Sequence, residues 1–559
     1  MQTIAIGEDD FKLLRQRNSY FVDKSLFIKD VIDDASRVLL FPRPRRFGKT
    51  LNMSMLRYFF DIEKSSENRK LFDGLAINQT PHFEKYQGKY PVIFVSLKDV
   101  KSGSSKGFLL KVKLQITTLF NDHKYLIEGS KNDPSDIEHF RRIASGNAEI
   151  SMYEGTLKLL SRMMAKHFDQ KTIILIDEYD TPVHEAWLNG FYDDVVKFLR
   201  LLLGNALKGN EYLQKGIITG ILRVSKESMF SDLNNVKVFS VLNLKFNDNF
   251  GFTQEEVNTI LSNYAMDNKQ ASVKHWYNGY YFGDREIYNP WSILNFVDRD
   301  GEFRPYWLST SANDLVHQLI KDSGNEVKKD IEDALNNKPF ECHIEDNISF
   351  QQLQASRENI LSFLVQTGYL KARKVDFKND ALLYEVFIPN IEVRHIYVNT
   401  IMFWFEESIG SSHLKDMLRA LVTGDIPIFE RIFSQFVIET LSYFSIGRRS
   451  NDVERVFQAF LLGMLVGLKD QYEVYSEKES GFGRFDVSVV PKDKTKTAII
   501  MELKSIDTFN NETKEETLDA ALAQIEERQY ETLLRQQGCQ HIMKLAVTFD
   551  GKRVWVKKG

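Results

Sequence analysis

Two acidic residues and a lysine near the carboxyl end of the chain have types and spacing suited to chemistry on a phosphate group. The segment FDVSVVPKDKTKTAIIMELK places two β-patterned runs around a polar stretch, which predicts an antiparallel hairpin. With the turn centred on Lys494, Asp486 lies directly across from Glu502, with Cβ atoms about 5 Å apart. Like charges in these positions destabilise a sheet, so we expect a bound cation between them, and Mg²⁺ favours carboxylate oxygens.

Lys504 completes this group, because side chains alternate along a strand and Glu502 and Lys504 therefore point to one face. The lysine would orient or deprotonate a water, or stabilise negative charge on the phosphate, while the metal polarises that phosphate. The order Asp-turn-Glu-x-Lys is the core of the PD-(D/E)XK nuclease pattern. A surface hairpin with mixed charges would give the same pattern by chance, so the flanking helices are needed to decide.

The helices on either side of the hairpin supply further polar residues. In the preceding helix, Glu454 is predicted as an additional metal ligand. In the following helix, three residues after the small apolar stretch DAALA are predicted to hold the substrate backbone: Gln524, Arg528 and Tyr530. With all four elements in order, we predict a metal-dependent phosphodiesterase site in which Asp486, Glu502 and Lys504 are catalytic.

A second candidate site lies near the amino end, where the strand-like VLLFP runs into a basic loop, RPRRFGKT, and then into a helical pattern. A phosphate-binding loop needs backbone N–H groups at a helix N-terminus, a lysine for the phosphates and a hydroxyl for Mg²⁺. We assign these roles to Gly48, Lys49 and Thr50, with Arg46 beside them. Arg43 stands where the consensus has its first glycine, and a basic strand-to-helix turn that happens to contain GKT is the alternative.

Two further strands carry residues that suit nucleotide hydrolysis. TIILIDEYD places Asp177 and Glu178 at the end of a buried strand, where open α/β sheets bind ligands. Asp177 would hold Mg²⁺ and Glu178 would polarise the attacking water, although a strand ending in solvated acids is the alternative. The strand GIITGI then places Thr219 and Arg223 as a polar sensor and a cation for the γ-phosphate, and Arg223 could equally be a salt-bridging loop residue.

The elements that must position these sites divide the chain of 559 residues into three predicted regions. Short β-like runs alternate with helical patterns over residues 1–250, which predicts an α/β fold of the P-loop NTPase type, a parallel sheet with flanking helices. Residues 251–440 are mostly helical in pattern and are interpreted as a lid or adaptor. Residues 441–559 read as helix, strands and helix, which predicts a small restriction-endonuclease-like α/β domain.

Composition limits the classes of partner. The formal net charge of −4 gives no overall attraction to nucleic acid, so such binding requires local basic patches. Because no run approaches about 18 apolar residues, we expect no membrane contact and a cytoplasmic location. The two cysteines, Cys342 and Cys539, lie far apart and support neither a disulfide framework nor a cysteine-rich zinc site.

The chain resembles a large family of prokaryotic proteins that pair an AAA-ATPase-like domain with a C-terminal PD-(D/E)XK nuclease-superfamily domain. The resemblance runs over nearly the whole length and is carried by YFVDKS, RPRRFGKT, LIDEYD, TGILRVSKESMFSDLNN, HWYNGYYFG, IYNPWSI, ESGFGRFDV, IIMELK and QIEERQY. An arginine in place of the first loop glycine is usual in that family. The resemblance implies a P-loop fold, a nuclease-like fold at the carboxyl end, and a place in mobile elements or defence.

Together these observations predict a protein that binds and hydrolyses ATP and uses Mg²⁺ to cleave nucleic acid, with DNA favoured as the substrate. A homo-oligomer is compatible with this prediction. The alternative from another class is a nucleotide-gated nucleic-acid-binding or signalling protein, in which the nuclease fold grips its partner without cleaving it.

Overall fold

The structure is a computed structural model that describes residues 2–128, 131–222, 235–309, 314–335, 338–346, 348, 350–353, 355–378, 381–397, 411–440, 461, 464, 465, 468, 471–480, 483–506, 512–550 and 553–559. The chain forms two compact units, Met1–Arg394 and His395–Gly559. Residues 251–394 therefore share one unit with residues 1–250, and the predicted boundaries near 250 and 440 stay predictions. Among the described helices, none combines the length and apolar character needed to cross a bilayer.

A five-stranded parallel sheet organises the first unit. Its strands are β1 (Val38–Pro42), β2 (Val92–Ser96), β3 (Thr172–Asp177), β4 (Leu213–Gly220) and β5 (Val236–Val238), in the order β2-β3-β4-β1-β5. Every residue of β1 and β3 is buried, as expected for parallel strands covered on both faces, and this explains their nearly unbroken apolar sequences. The predicted parallel sheet is confirmed, and β1, β3 and β4 end side by side at one edge.

Helices pack around this sheet. They are α1 (Phe11–Gln16), α2 (Leu26–Asp33), α3 (Lys49–Phe60), α4 (Ser65–Arg69), α5 (Pro81–Tyr86), α6 (Ser105–Asp122), α7 (Pro134–Ala144), α8 (Ile150–Tyr153), α9 (Thr156–Phe168), α10 (Thr181–Leu188) and α11 (Tyr192–Leu207). The sequence of α6 shows why these segments are amphipathic helices, since its buried residues recur every four positions: Phe108, Val112, Ile116 and Phe120.

The rest of the first unit combines helices with small antiparallel sheets. The helices are α12 (Gln254–Asn263), α13 (Gln270–Tyr277), α14 (Pro290–Asp298), α15 (Asp314–Asp322), α16 (Asn325–Leu335) and α17 (Arg357–Gln366). The strands are β6 (Tyr280–Phe282), paired with β7 (Arg285–Ile287), and β8 (Phe340–His343), β9 (Lys371–Lys378) and β10 (Ala381–Phe387), in the order β8-β10-β9. Helices predominate here as predicted, and the three-stranded sheet is an addition that the sequence pattern did not indicate.

The second unit is a mixed sheet between two layers of helices. Its strands are β11 (Tyr472–Ser480), β12 (Gly483–Pro491), β13 (Ala498–Ser505), β14 (Ile542–Asp550) and β15 (Arg553–Lys558), and its described helices are α18 (Ser411–Thr423), α19 (Ile426–Thr440), α20 (Lys514–Glu527) and α21 (Glu531–Gln536). The strands follow this order across the sheet, and only β13 and β14 are parallel.

The two faces of this sheet bury different residues. Val487, Met501 and Leu503 pack with α18 and α19 on one face. On the other face, Ile500 packs with residues of α20 and α21. Because side chains alternate, Asp486, Glu502 and Lys504 belong to the face covered by α20. The small α/β domain predicted at the carboxyl end is confirmed in this sheet and its helices.

Candidate functional sites

The predicted phosphate-binding loop lies between β1 and α3. The chain leaves β1 at Pro42 and enters α3 at Lys49. Gly48 has φ 81°, a left-handed conformation that glycine adopts without strain, and a side chain there would meet no atom within 4 Å. The glycine is therefore required by the backbone turn and not by crowding. The turn leaves the free N–H groups of α3 at the edge of the sheet, which is the arrangement that binds anions.

Lys49 is buried inside this loop. Its Nζ donates to the backbone carbonyl oxygens of Arg43 at 3.0 Å and Pro44 at 2.9 Å. Burial lowers the pKa of the Lys49 ammonium, and the nearby carboxylates of Glu178 and Asp180 act in the opposite direction. The ammonium group is thus held across the loop next to the acidic end of β3, and its contact with a nucleotide phosphate stays a prediction.

Arg43 explains why the loop departs from the glycine consensus. Its side chain is completely buried, and burial lowers the pKa of the guanidinium to about 9. The guanidinium donates to three backbone carbonyls, those of Pro42 at 2.8 Å, Phe239 at 2.5 Å and Phe246 at 2.9 Å. It also lies 5.0 Å from the ring centroid of Phe250. Arg43 therefore ties the start of the loop to the segment after β5.

The Asp177 carboxylate, at the end of β3, forms hydrogen bonds with one side chain of α3 and one of β4. Its Oδ2 accepts a hydrogen bond from Thr50 Oγ1 at 2.8 Å, and its Oδ1 accepts one from Thr219 Oγ1. The carboxyl is fully buried, and burial raises its pKa while the two hydroxyls lower it. The structure thus brings together the hydroxyl of the loop, the acid of β3 and the polar residue of β4. A carboxylate beside a hydroxyl is a donor set suited to Mg²⁺.

Glu178 occupies a strained position at the end of β3. Its backbone has φ 50°, which is uncommon for a residue with a side chain, and such outliers concentrate at functional sites. Its Oε2 accepts a hydrogen bond from Thr181 Oγ1 at 3.2 Å. Unlike Asp177, it is only partly buried. A carboxylate held partly exposed beside Asp177 is accessible to a water, as the predicted role of Glu178 requires, and that role stays a prediction.

Two charged residues near this site were missed in the sequence. Lys98 follows β2 and forms an ion pair with Asp9 at 2.8 Å, and both Asp9 and Glu178 raise the pKa of this lysine. Asp180 is buried and accepts hydrogen bonds from the backbone N–H groups of Ile221 at 2.8 Å and Leu222 at 3.0 Å. Two sequence features could have indicated them: Asp180 is the last acid of LIDEYD, and Lys98 belongs to the polar stretch SLKD at the end of β2.

The two remaining predicted nucleotide contacts differ in what the structure shows. Arg46 is exposed, and its guanidinium lies 4.1 Å from the ring centroid of Trp291. Arg223 lies outside the described residues, so its role stays a prediction.

The hairpin of the second unit has the predicted register. Val487 pairs with Met501, and Val489 pairs with Ile499, which centres the turn on Lys494. The same register brings Asp486 across from Glu502. Asp486 Oδ2 also accepts a hydrogen bond from the backbone N–H of Leu503 at 2.7 Å, which fixes this carboxylate beside the Glu502 position.

Glu502 is the most perturbed carboxyl at this site. It is 3% exposed, its Oε1 accepts a hydrogen bond from Gln524 Nε2, and its buried Oε2 has no hydrogen-bond partner. Burial and the charge of Asp486 raise the pKa of Glu502 to about 8, while the charge of Lys504 lowers it. A buried carboxyl oxygen that lacks a partner beside a second carboxylate requires a proton or a cation.

The helix after the hairpin acts directly on Glu502. Gln524, on α20, donates to Glu502, and its Nε2 lies 3.4 Å from the hydroxyl of Tyr530. Tyr530 is buried among apolar residues, so it is placed to orient Gln524. Arg528 is exposed at the end of α20. Contacts of these three residues with a substrate backbone stay a prediction.

The donor set at this site fits a divalent cation. Asp486 and Glu502 offer hard carboxylate oxygens, and the partnerless Oε2 of Glu502 is where a cation would add a bond. Within the described residues, no group of three or more His, Cys, Asp and Glu side chains is placed to hold a metal ion. The predicted third ligand, Glu454, lies outside the described part of the chain. Mg²⁺ is usually bound through one or two carboxylates and keeps water as its other ligands, so this pair of carboxylates suits it.

Two regions of the chain match the sequence models of known families. Residues 5–230 match the sequence model of the family described as “Predicted AAA-ATPase”, and residues 452–559 match that of the PD-(D/E)XK nuclease superfamily. The first region contains the phosphate loop, Asp177 and Glu178, and the second contains Asp486, Glu502 and Lys504. The chain thus carries an AAA-ATPase-like region and a nuclease-superfamily region, as the resemblance implied.

Two individual proteins also align with the chain. A protein of Azotobacter chroococcum mcd 1, described as an uncharacterized protein in the vnfD 5′ region, is 22% identical over 446 residues, which cover 78% of this chain and 77% of that protein. A solved structure of the Aeropyrum pernix ORC1 protein in complex with DNA aligns with a TM-score of 0.23 and 12% identity, covering 71% of this chain and 93% of that chain. A score this low establishes no common fold.

Proposed function

We propose that this chain hydrolyses ATP in its first unit and cleaves DNA in a Mg²⁺-dependent reaction in its second unit. The observation that carries the nuclease half is the Glu502 carboxyl, buried across a hairpin from Asp486 with one oxygen lacking a partner. Two facing carboxylates destabilise a sheet, and burying one of them without a partner adds to the cost, so their presence favours a functional role.

In the ATP site, the backbone of Gly48 and the ammonium of Lys49 bind the phosphates. Thr50 and Asp177 would hold Mg²⁺, and Glu178 would orient the attacking water. Thr219 supports this arrangement through its hydrogen bond to Asp177. Arg46 and Arg223 supply positive charge near the γ-phosphate. These cations would stabilise the negative charge that develops on it in the transition state.

In the nuclease site, Asp486 and Glu502 would hold Mg²⁺, with Glu454 as a further ligand. Bound there, Mg²⁺ would supply a Lewis acid for the scissile phosphate and the attacking water. Lys504 stabilises the negative charge that develops on the phosphate. Gln524 keeps Glu502 in position, Tyr530 orients Gln524, and Arg528 contacts the substrate backbone.

The nucleotide state of the first unit would control access of DNA to this site. We infer a cytoplasmic protein that acts in phage defence or with mobile elements, and this role rests on the family resemblance alone. A homo-oligomer would allow an arginine of one copy to act on nucleotide bound to another.

Supercoiled plasmid incubated with the full chain tests the proposal, with Mg²⁺ or EDTA and with or without ATP. We expect Mg²⁺-dependent nicking that Glu502→Gln abolishes, while ATP turnover is retained. Lys49→Ala should abolish turnover. Asp550→Asn, at an exposed carboxylate on the neighbouring strand β14, is the matched control and should nick like the wild type. Nicking that survives Glu502→Gln would refute the nuclease half.

A second candidate function is nucleotide-gated nucleic-acid binding without cleavage. It is favoured by Arg528, an exposed cation at the end of α20 that would contact a nucleic-acid backbone whether or not cleavage follows. Plasmid retardation in a gel that requires Arg528, with no nicking in Mg²⁺ or Mn²⁺, would support this function instead.

A further inference from the structure

The sheet of the second unit buries a hydroxyl beside the proposed nuclease site. Thr548, on β14, is 0% exposed, and its Oγ1 has no hydrogen-bond partner in the described part of the chain. A hydroxyl buried in this way destabilises the folded state, because it has lost its hydrogen bonds to water. Valine has the same branched shape and would avoid this cost. Packing alone therefore does not account for a threonine at this position.

Thr548 lies on the face of the sheet that carries the candidate catalytic residues. In the parallel pairing of β13 and β14, Glu502 is level with Ala546. Lys504 is level with Thr548 in the same register. Ala546 packs against Leu518 of α20, so this set of alternate residues on β14 faces α20. The side chains of Thr548 and Lys504 are therefore neighbours on one face, on strands about 5 Å apart.

These two neighbours have complementary hydrogen-bonding capacity. A lysine ammonium carries three donors and no acceptor, whereas a threonine hydroxyl offers two acceptor lone pairs. The flexible four-carbon side chain of Lys504 can reach across to the adjacent strand. Burial raises the pKa of the Glu502 carboxyl, and the charge of Lys504 acts against this rise, so the ammonium is already close to the site. A bond to Thr548 would use only one of its three donors.

A second buried hydroxyl of the same sheet shows why the neighbouring residue matters. Ser488, on β12, is also 0% exposed, and its Oγ lacks a hydrogen-bond partner among the described residues. Its neighbours across the sheet are Tyr475 and Ile500, and neither is charged at neutral pH. Burial without a partner therefore does not by itself identify a functional hydroxyl. Thr548 differs from Ser488 because it lies beside an ammonium that it can orient.

We propose that Thr548 is a positioning residue that accepts a hydrogen bond from the Lys504 ammonium and holds this group at the scissile phosphate. This role rests on the proposed function, in which Lys504 stabilises the negative charge that develops on that phosphate. A cation held in its working orientation need not be ordered again during the reaction. Thr548 acts through Lys504 and does not touch the DNA, which agrees with its complete burial.

Nicking of supercoiled plasmid by the full chain in Mg²⁺ tests this role through three variants. Thr548→Val keeps the branched shape and removes the hydroxyl, so kcat should fall about 10- to 150-fold, the range for a hydrogen bond to a charged group. Thr548→Ser keeps the hydroxyl and should retain most of the activity. Ser488→Ala, the matched control, removes the other buried hydroxyl and should nick like the wild type. Plasmid retardation in EDTA should be the same for all four proteins.

Hydrogen exchange on peptides from β14 separates positioning from a structural role. Because the Thr548 hydroxyl has no partner to lose among the described residues, Thr548→Val should protect β14 at least as well as the wild type. A structural hydroxyl would instead give weaker protection together with slower nicking.

Any of four results would overturn the role of Thr548. These are wild-type nicking by Thr548→Val, a Thr548→Ser variant as slow as Thr548→Val, weaker protection of β14 in Thr548→Val, and an equal loss of nicking in Ser488→Ala. A wild-type chain that does not nick plasmid would refute the proposed function and this role together. A wild-type chain that nicks, with Thr548→Val equally active, would refute this role alone.

Discussion

Glu502→Gln should stabilise the metal-free protein while abolishing cleavage. The side chain is 3% exposed, and the pKa of its carboxyl is raised from 4.5 to about 8 by burial and by Asp486. Because the folded state binds this proton more tightly than the unfolded state, stability is greatest below pH 4.5 and falls as the pH rises towards 8. At about 1.36 kcal/mol per pKa unit, the penalty at pH 7 is on the order of 3 kcal/mol.

Glutamine has the same shape and no charge, so it removes this penalty and keeps an oxygen for the hydrogen bond from Gln524. Hydrogen exchange followed by mass spectrometry on peptides from β13 measures the effect locally, because the two-unit chain need not unfold in one step. We expect stronger protection in Glu502→Gln than in the wild type at pH 8, and equal protection at pH 4.5.

Added Mg²⁺ should protect β13 in the wild type and leave Glu502→Gln unchanged, since the cation replaces the proton as the partner of the carboxylate. Asp550→Asn, exposed on β14, controls for the loss of one negative charge and should behave as the wild type. Equal protection of wild type and Glu502→Gln at every pH would refute the reasoning that the buried carboxyl is held at an energetic disadvantage.

Three further substitutions test other contacts. Arg43→Gly restores the loop consensus but leaves three buried carbonyls without their donor, so we expect it to lower the local stability around β1 by at least about 3 kcal/mol, measured by hydrogen exchange on peptides from that strand. Nucleotide titration should show no gain in ATP affinity. Thr219→Val removes the hydroxyl that binds Asp177 and should lower ATP turnover about 10-fold or more, with the melting temperature as the control for folding. Tyr530→Phe removes only the hydroxyl that contacts Gln524, so it should reduce plasmid nicking at most about 10-fold and leave DNA binding unchanged. Weakened DNA binding would indicate that the Tyr530 hydroxyl contacts the substrate.

The hairpin and the parallel sheet were accessible from the sequence because local pattern determines them. The polar stretch between two β-patterned runs fixed the turn at Lys494, and a period of two then fixed which side chains share a face. The apolar runs of β1 and β3 likewise reflect burial on both faces.

Contacts between distant segments were not accessible in this way. The role of Arg43 depends on the carbonyl of Phe239, 196 residues away. The pairing of Lys98 with Asp9 spans 89 residues. No spacing rule reaches so far, and a lone basic residue gives no sign of whether its partner is a phosphate or a carbonyl.

The three-stranded sheet of the first unit escaped prediction for a different reason. Its strand β9 reads KARKVDFK, in which charged residues hide any alternation of apolar and polar side chains. Gln524 was predicted to face the substrate, and its contact with Glu502 depends on how α20 packs on the sheet. A helix pattern shows which side chains share a face but not which neighbour they meet.

The hydrogen bonds of Arg43 also restrict which substitutions this loop can accept during evolution. A single codon change to glycine would remove the donor for carbonyls at three separate positions before any new contact could replace it. A series of substitutions that ends in the common loop sequence must therefore first change the segment between Phe239 and Phe250, and each intermediate must still fold. Laboratory evolution towards a conventional loop should therefore accumulate changes in that segment before the arginine is lost.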